Sequence, residues 1–426
     1  MRKLSFLVFP IFLFLYKRNQ MNKRKIWQYP WTYKESVVIG LGFILIGFAL
    51  EIFSDGKGVH PPVFPYNIIL LLQLIIFIPA ISFFMKKHPF IQWMTSVPAA
   101  ISAILLMTIF VLLMGFIPQQ AIPNSIVSRI GLTHIFESWS YLFITLYLVL
   151  ILGFTLVKRL TPFSIKNTGF FLNHAGLWII ITAASLGAGD IEKRTMYCYK
   201  DNPAWLGINK SGEKKNMPFA LELSKFEIQE YSPELVIIDN ATGKILSDQK
   251  KLLSLKKGEK KIVSEWNVEV FEYYNYAIWF HNSFKPIKQF GAAPAAKIKA
   301  IHIETKDTIS GWISIGSYKE TPVLLPVNNN SSFAMTVPSP KKYHSILKLY
   351  TPDQKINKID IEVNKPFFHK GWYLYQTGYD EKQGRWSNLS IIEAVKDPWL
   401  YVVYTGIYML IAGSVFLFWQ GKKIKK

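Results

Sequence analysis

The stretch FFLNHAGLWIIITAASLGAGD (Phe170–Asp190) decides the fold class, because it is apolar enough to cross a lipid bilayer and still contains a histidine, His174, near its start. Crossing the hydrocarbon layer takes about 20 apolar residues in a helix. An ionisable side chain inside that layer is costly and is usually retained for a function. The stretch therefore predicts a membrane protein and makes the role of His174 the main question.

Further apolar runs of similar length occur along the chain, and half of its 426 residues are hydrophobic. Such a composition is typical of a multi-pass membrane protein. The sequence therefore predicts an α-helical transmembrane bundle of about six spans, with a large inserted, mainly-β extracytoplasmic domain. The predicted spans are Ser36–Phe53, Tyr66–Phe84, Met94–Ile117, Trp139–Val157, Thr168–Ala188 and Leu400–Trp419.

The positions of the basic residues predict the orientation of these spans. The formal net charge is +21, and the basic clusters precede the first span or follow the second, fourth and sixth spans. The short loops on the other side contain only Lys57 and Arg129 as basic residues. Because lysine and arginine are enriched in cytoplasmic loops, both termini are predicted to be cytoplasmic, with the protein in the cytoplasmic membrane and its long polar region outside.

The excess of positive charge does not indicate a nucleic-acid partner. Most of it flanks the spans, where contact with the lipid bilayer accounts for it. The long polar region contains only two arginines, Arg194 and Arg385. Arginine is the side chain best suited to bidentate recognition of phosphate, so no nucleic acid is expected among the partners.

The spans divide the chain into five predicted regions. These are a cytoplasmic N-terminus at residues 1–35, five transmembrane helices at 36–189, the extracytoplasmic domain at 190–397, the last transmembrane helix at 398–419 and a basic cytoplasmic tail at 420–426. The apolar run Leu4–Tyr16 is too short to span and has no small-residue cleavage site after it. Met21 opens a basic start, MNKRK, and we favour it as the start of translation, which leaves residues 1–20 untranslated.

The long polar region is predicted to be a domain of antiparallel strands. Apolar and polar side chains alternate in four stretches, FALELSKFEIQEY, KIVSEWNVEVFEYY, AKIKAIHIE and KIDIEVNK, as they do in half-buried strands. Turn signals such as DNATGK and TPDQK separate them. A region of this length can bury its own core, so we expect a sandwich-like domain, with the patch Asn328–Ser332 as a loop.

This region contains no recognisable catalytic motif. HExxH, GxSxG and phosphate-binding glycine loops are all missing from the sequence. Its four histidines, His281, His302, His344 and His369, are too scattered to predict a metal site. The only cysteine, Cys198, excludes an intramolecular disulfide and a CxxC site within this chain. No catalytic residue is predicted, although the chain can still be one subunit of a larger enzyme.

Several local patterns, taken in order, resemble the ResB family of cytochrome c biogenesis proteins. They are LLMGFIPQ at Leu112–Gln119, GLTHIFESWSYLF at Gly131–Phe143, LNHAGLWIIITAASLGAGD at Leu172–Asp190, GWYLYQTGYD at Gly371–Asp380 and DPWLYVVYTGIYMLIAG at Asp397–Gly413. The resemblance runs from Met94 to the C-terminus. It does not include the first two spans, and the chain has no tryptophan-rich haem-handling motif of the CcsA type.

The resemblance implies a function in cytochrome c assembly. Such a protein binds haem b and, with a separate CcsA-like membrane protein, moves it across the membrane for attachment to an apocytochrome c. His174 would then be an axial ligand of the haem iron, and helix periodicity places Phe171 and Trp178 near it. His134 is a second candidate ligand, just outside the fourth span.

Each histidine also has a purely structural interpretation. His174 would bond a neighbouring helix and help to pack the bundle, and His134 would bond lipid headgroups at the interface. Helix rise places the two at depths that differ by about 20 Å, so they are not expected to share one iron. A different function is also open, in which the chain is a non-catalytic relay or transporter-associated protein whose β domain binds a partner. That function needs no cofactor.

Overall fold

The computed structural model describes residues 27–120, 122, 125–162, 164–246 and 252–420. The run Leu4–Tyr16, the start at Met21 and the basic tail after Gln420 lie outside the described residues. The chain forms two compact units, one made of Met1–Ile191 with Asp397–Lys426 and the other of Glu192–Lys396. Each unit has its own core.

The first unit is a helical bundle, and six of its described helices are long and apolar enough to cross a membrane. The prediction of six such helices is therefore confirmed, and no predicted end is wrong by more than three residues. They are α1 (Tyr33–Phe53), α2 (Tyr66–Phe84), α3 (Val97–Phe116), α4 (Trp139–Leu160), α5 (Thr168–Gly187) and α6 (Leu400–Gln420). Short helices at Pro89–Met94 and Ile126–Arg129 lie between them.

The start of α3 differs from the prediction for a local reason. Met94 ends the short helix Pro89–Met94 rather than beginning the span. The side chain of Ser96 then accepts a hydrogen bond from the backbone N–H of Ala99 and caps α3. Pro98 follows in the first turn, where a missing N–H costs nothing. The cap, and not the apolar run alone, sets where this helix begins.

Helix α4 lies at the centre of the bundle and is the most buried of the six. It contacts α1, α2, α3 and α5. Its buried side chains include Ile144, Tyr147 and Ile151. The Tyr147 hydroxyl lies 3.0 Å from the Ser102 hydroxyl of α3, so the polar end of this ring is satisfied inside the bundle.

Helices α5 and α6 approach each other at backbone distance. A Cβ atom on Gly176 would lie 2.5 Å from the carbonyl oxygen of Gly406, and one on Gly406 would lie 2.8 Å from that of Gly176. One turn away, the side-chain amide of Asn173 donates to the Ser414 hydroxyl at 2.9 Å. Small residues allow membrane helices to pack closely, and interhelical hydrogen bonds then hold them. This contact fixes the rotation of α5, and with it the direction of His174.

The second unit consists of β strands, which confirms the prediction of a mainly-β region. Every pair of named strands in the described part of it is antiparallel. The strands are β1 (Glu192–Tyr199), β2 (Ala204–Ile208), β3 (Lys214–Glu230), β4 (Glu234–Asp239), β5 (Leu253–Ser254), β6 (Lys260–Val263), β7 (Trp266–Phe280), β8 (Ser283–Pro286), β9 (Ala293–His302), β10 (Thr308–Ser314), β11 (Leu325–Pro326), β12 (Ser331–Met335), β13 (Pro340–Tyr350), β14 (Ile356–Glu362), β15 (Phe367–His369), β16 (Trp372–Tyr379) and β17 (Leu389–Lys396).

This unit is not the single sandwich that the alternating stretches predict. One sheet has eight strands in the order β14-β13-β3-β2-β1-β17-β16-β15. Its edge strand β14 contacts β15 and β16 from the opposite edge, so the sheet curls around its own core. Register shifts in β3, β13 and β16 mark bulges that bend the strands.

Only the other part of the unit is sandwich-like. A five-stranded sheet (β10-β9-β7-β6, with β8 on β7) and a four-stranded sheet (β11-β12-β4-β5) share a second core. The largest buried side chains of this core include Phe333, Leu235 and Leu253. The predicted loop at Asn328–Ser332 is shorter than expected, because Ser331 already begins β12.

Candidate functional site

His174 lies in the second turn of α5, and its imidazole is held by its own helix. Its Nδ1 atom is 3.0 Å from the carbonyl oxygen of Phe170, and its ring stacks on the Phe170 ring with 3.8 Å between the centroids. When Nδ1–H donates to that carbonyl, the lone pair is on Nε2. Nε2 has no hydrogen-bond partner within the described chain. The bond to a neighbouring helix, which a packing role would use, is not found among the described residues.

The face around His174 is aromatic and basic. The Arg159 guanidinium, in the last turn of α4, lies 5.5 Å from the centre of the Phe170 ring, within the range of a cation–π interaction. The Phe170 ring is therefore close to both a cation and an imidazole. The ring in contact with His174 is that of Phe170, whereas Phe171 is a half-buried neighbour on the same helix.

Trp178 has a packing contact of its own. Its indole Nε1–H donates to the carbonyl oxygen of Val149 in α4 at 3.1 Å. The ring also packs with Leu177 and Ile181 on the core that contains Ile78. Trp178 therefore holds α5 against α4 one turn beyond His174, and this contact keeps the histidine at a fixed place on the bundle.

These residues fit a haem group better than a metal centre with several protein ligands. Haem iron needs one imidazole nitrogen from the protein, and a bond from the other nitrogen to a backbone carbonyl orients such a ligand. His174 offers this arrangement. No group of three or more His, Cys, Asp and Glu side chains suited to a metal ion occurs among the described residues.

His134 is in a different environment, beside a buried carboxylate. Its Nε2 atom lies 3.1 Å from Oε1 of Glu51, whose side chain is fully buried. Oε1 also accepts from the Gly58 N–H at 2.9 Å, and Oε2 accepts from the Trp139 N–H at 3.0 Å. Trp139 is the first residue of α4, so the carboxylate caps that helix. Within the described chain the His134 imidazole is already engaged.

The structure does not bring His134 and His174 together. The Glu51 carboxylate that bonds His134 also bonds Trp139, at the beginning of α4. His174 stacks on the Phe170 ring, which lies beside Arg159 at the end of the same helix. Residues 139 and 159 are separated by about 30 Å along an α-helix. One iron cannot take both histidines as ligands in this arrangement.

Two polar groups of the bundle were missed by sequence reasoning. The first is Glu51, an acid at the end of an apolar run. The second is Asp190, whose carboxylate accepts from the Phe64 N–H at 2.8 Å, the Asn67 amide at 2.6 Å and the Trp399 indole at 2.8 Å. It joins the ends of α2, α5 and α6. In each case the signal was an acidic residue at the border of an apolar stretch, but its partners are distant in sequence.

The histidines of the β unit do not form a site in the described structure. His302 lies 3.3 Å from Glu265, and His344 lies 3.3 Å from Glu227. His281 occupies a turn with positive φ. His369 is half-buried on β15, and desolvation lowers its pKa.

Comparisons with known proteins give no relative, since no family model matches the chain and no curated protein matches it. The residues themselves must therefore support any functional assignment.

Proposed function

We propose that this chain is a haem-binding cytochrome c biogenesis factor of the cytoplasmic membrane. In this proposal it receives haem b near the cytoplasmic face and, with a CcsA-like membrane protein, delivers it to an apocytochrome c outside. The observation that carries the proposal is the Nε2 atom of His174, which has no partner in the described chain and belongs to a helix apolar enough to span the bilayer. The ResB-like order of patterns along the sequence supports the same function.

His174 would hold the iron through Nε2, and the Phe170 carbonyl would keep the proton on Nδ1. The haem would supply a redox-active iron and the vinyl groups to which cytochrome cysteines become attached. Its two propionates are carboxylates and need cationic partners. Arg159 beside Phe170, with Lys158 and Lys166 near the same helix ends, would provide them.

The β unit would then serve as the docking domain for the client or the partner protein. The placement of basic loops, with Lys86, Lys87, Lys158 and Arg159 on one side, supports its location outside. In this arrangement the helices handle the haem, and the β unit brings the acceptor to it.

Absorbance of the purified full-length protein tests the proposal. We expect a Soret band that His174→Ala reduces at least tenfold, with partial recovery on addition of imidazole, because neutral imidazole can replace the missing ligand. His281→Ala, which removes a turn histidine of the β unit, is the matched control and should leave the band unchanged. A wild-type protein that is abundant but takes up no haem would contradict the proposal and favour a membrane relay or a transporter-associated protein.

Assembly in cells is the second measurement. His174→Ala should abolish formation of holocytochrome c while the amount of the protein in the membrane stays near that of wild type. Normal holocytochrome yield from an abundant His174→Ala protein would end the assignment of His174 as a ligand. A parallel fall in protein abundance and haem would indicate a packing role instead.

A further inference from the structure

Helix α2 packs on the rest of the bundle through one face only. That face consists of Asn67, Leu74, Ile78 and Ile81, of which Asn67 and Ile78 are the buried residues. Most other side chains of the helix are exposed, and its buried share is as low as that of α6. Helix α2 therefore presents a broad outer surface that no described part of the chain covers.

The outer surface of α2 contains a regular stripe. Residues at alternating steps of three and four run along it: Tyr66, Ile69, Gln73, Ile76, Ala80 and Phe83. All are exposed except Ala80, which is half-buried. At about 100° per residue this stripe points away from the face that contains Leu74 and Ile78. Its 3-4 spacing is the one through which two helices pack as a left-handed pair.

Gln73 is the exception on this apolar stripe. It is the eighth residue of α2, about 10 Å along the helix from Tyr66, and therefore lies well inside the predicted hydrocarbon layer. Its side-chain amide is exposed and has no hydrogen-bond partner within the described chain. A primary amide with neither water nor a protein partner is strongly disfavoured in hydrocarbon.

Two exposed threonines in the other spans show how this cost can be avoided. The Thr108 hydroxyl of α3 donates to the carbonyl oxygen of Ile104 at 2.8 Å, and the Thr405 hydroxyl of α6 donates to that of Tyr401 at 2.9 Å. Each hydroxyl is satisfied within its own helix. Gln73 is not, and no other described residue bonds to its amide, so a partner is expected from outside the described part of the chain.

We propose that the Gln73 stripe of α2 is an interface between two copies of this chain, in which the Gln73 amides bond to each other. A glutamine amide both donates and accepts, so two identical residues satisfy each other. Copies in one membrane share one orientation, and a two-fold axis along the membrane normal places both residues at the same depth. A different partner would need a polar group placed independently at that depth. The proposal does not depend on haem binding, and it gives α2 a function separate from the region that resembles the ResB family.

Disulfide crosslinking in isolated membranes tests this interface with the full-length protein. The native Cys198 is buried and burial raises its pKa to about 12, so it does not interfere. Ile76→Cys lies on the stripe at 61% exposure, and Ile75→Cys lies at nearly the same depth at 49% exposure but on another side of the helix. We expect oxidation to yield a covalent dimer from Ile76→Cys and at least tenfold less from Ile75→Cys.

The glutamine is tested in the Ile76→Cys background. Gln73→Leu should reduce the crosslinked dimer at least fivefold, whereas Gln73→Asn, which keeps the amide, should retain most of it. Leucine favours membrane insertion, so a loss of dimer would not reflect a failure to insert. Equal dimer from Ile75→Cys and Ile76→Cys, or full dimer in Gln73→Leu, would overturn the proposal. So would a crosslink from Ile76→Cys to a different polypeptide instead of a second copy.

Discussion

Glu51 and His134 form a close pair inside the helical unit, with 3.1 Å between Oε1 and Nε2 and no exposure of the Glu51 side chain. They are 83 positions apart in sequence. The same carboxylate accepts the backbone N–H groups of Gly58 and Trp139, so one side chain satisfies three donors from two segments of the chain.

Removal of this carboxylate should destabilise the bundle. Glu51→Ala leaves two partly buried backbone N–H groups and the partly buried His134 without their acceptor. An orphaned group costs about 1–3 kcal/mol where water cannot reach it. We expect a clearly lower midpoint for thermal unfolding of the detergent-purified protein. His134→Ala, which removes one donor only, should have a smaller effect. An unfolding midpoint for Glu51→Ala equal to that of wild type would show that the carboxylate is not a structural centre.

The stacked ring beside His174 gives a second prediction. Phe170→Ala removes the ring that contacts the imidazole, and Phe171→Ala removes its half-buried neighbour. If His174 holds haem, Phe170→Ala should weaken haem binding several-fold more than Phe171→Ala, as measured by haem titration of the purified proteins. Equal effects would mean that the orientation of the imidazole does not depend on the stack.

The close contact of α5 with α6 gives a third prediction. Gly176→Ala places a methyl group against the Gly406 backbone, which cannot move aside as a flexible side chain can. Overpacking of this kind costs about 1–3 kcal/mol. Gly42→Ala in α1 is the control, because a Cβ there meets nothing within 4 Å. We expect Gly176→Ala to unfold or aggregate at lower temperature and Gly42→Ala to match wild type. If Gly42→Ala unfolded at a lower temperature than Gly176→Ala, the close packing of α5 on α6 would be refuted.

The single cysteine gives a fourth prediction. Cys198 is buried in β1, and desolvation raises its pKa from 9.0 to about 12. The thiol of the folded protein should therefore stay protonated between pH 7 and 9, whereas an unfolded thiol begins to ionise in that range. Maleimide labelling should be very slow at both pH values and become fast after denaturation in SDS. Rapid labelling of the native protein at pH 9 would contradict this.

The fold could be predicted where the information is local. Apolar runs gave all six long helices, because a membrane span needs only length and hydropathy. The alternation of apolar and polar residues predicted the strands of the second unit, because this pattern is also local. The ends of helices depend on more than hydropathy, since the start of α3 is set by the cap at Ser96.

Features that depend on distant partners could not be predicted in the same way. The curl of the eight-stranded sheet depends on bulges, and these become visible only once strands are paired. The Asp190 network joins residues 209 positions apart, through Trp399. His174 lies in a long apolar helix, as the sequence predicts, but its bond to the Phe170 carbonyl depends on a side-chain rotamer and has no sequence signature.

The pairing of β1 with β17 has a consequence for synthesis. These strands are the first and the last of the β unit, and they pair along their whole length, from Glu192 with Lys396 to Tyr199 with Leu389. The hydrogen bonds between β1 and β17 cannot form until β17 has been synthesised. Contacts so distant in the chain form slowly. Leu400 begins α6 soon after Lys396, so this sheet cannot be completed until synthesis has reached α6. A ribosome that stalls inside the β unit leaves an open strand edge exposed to proteases.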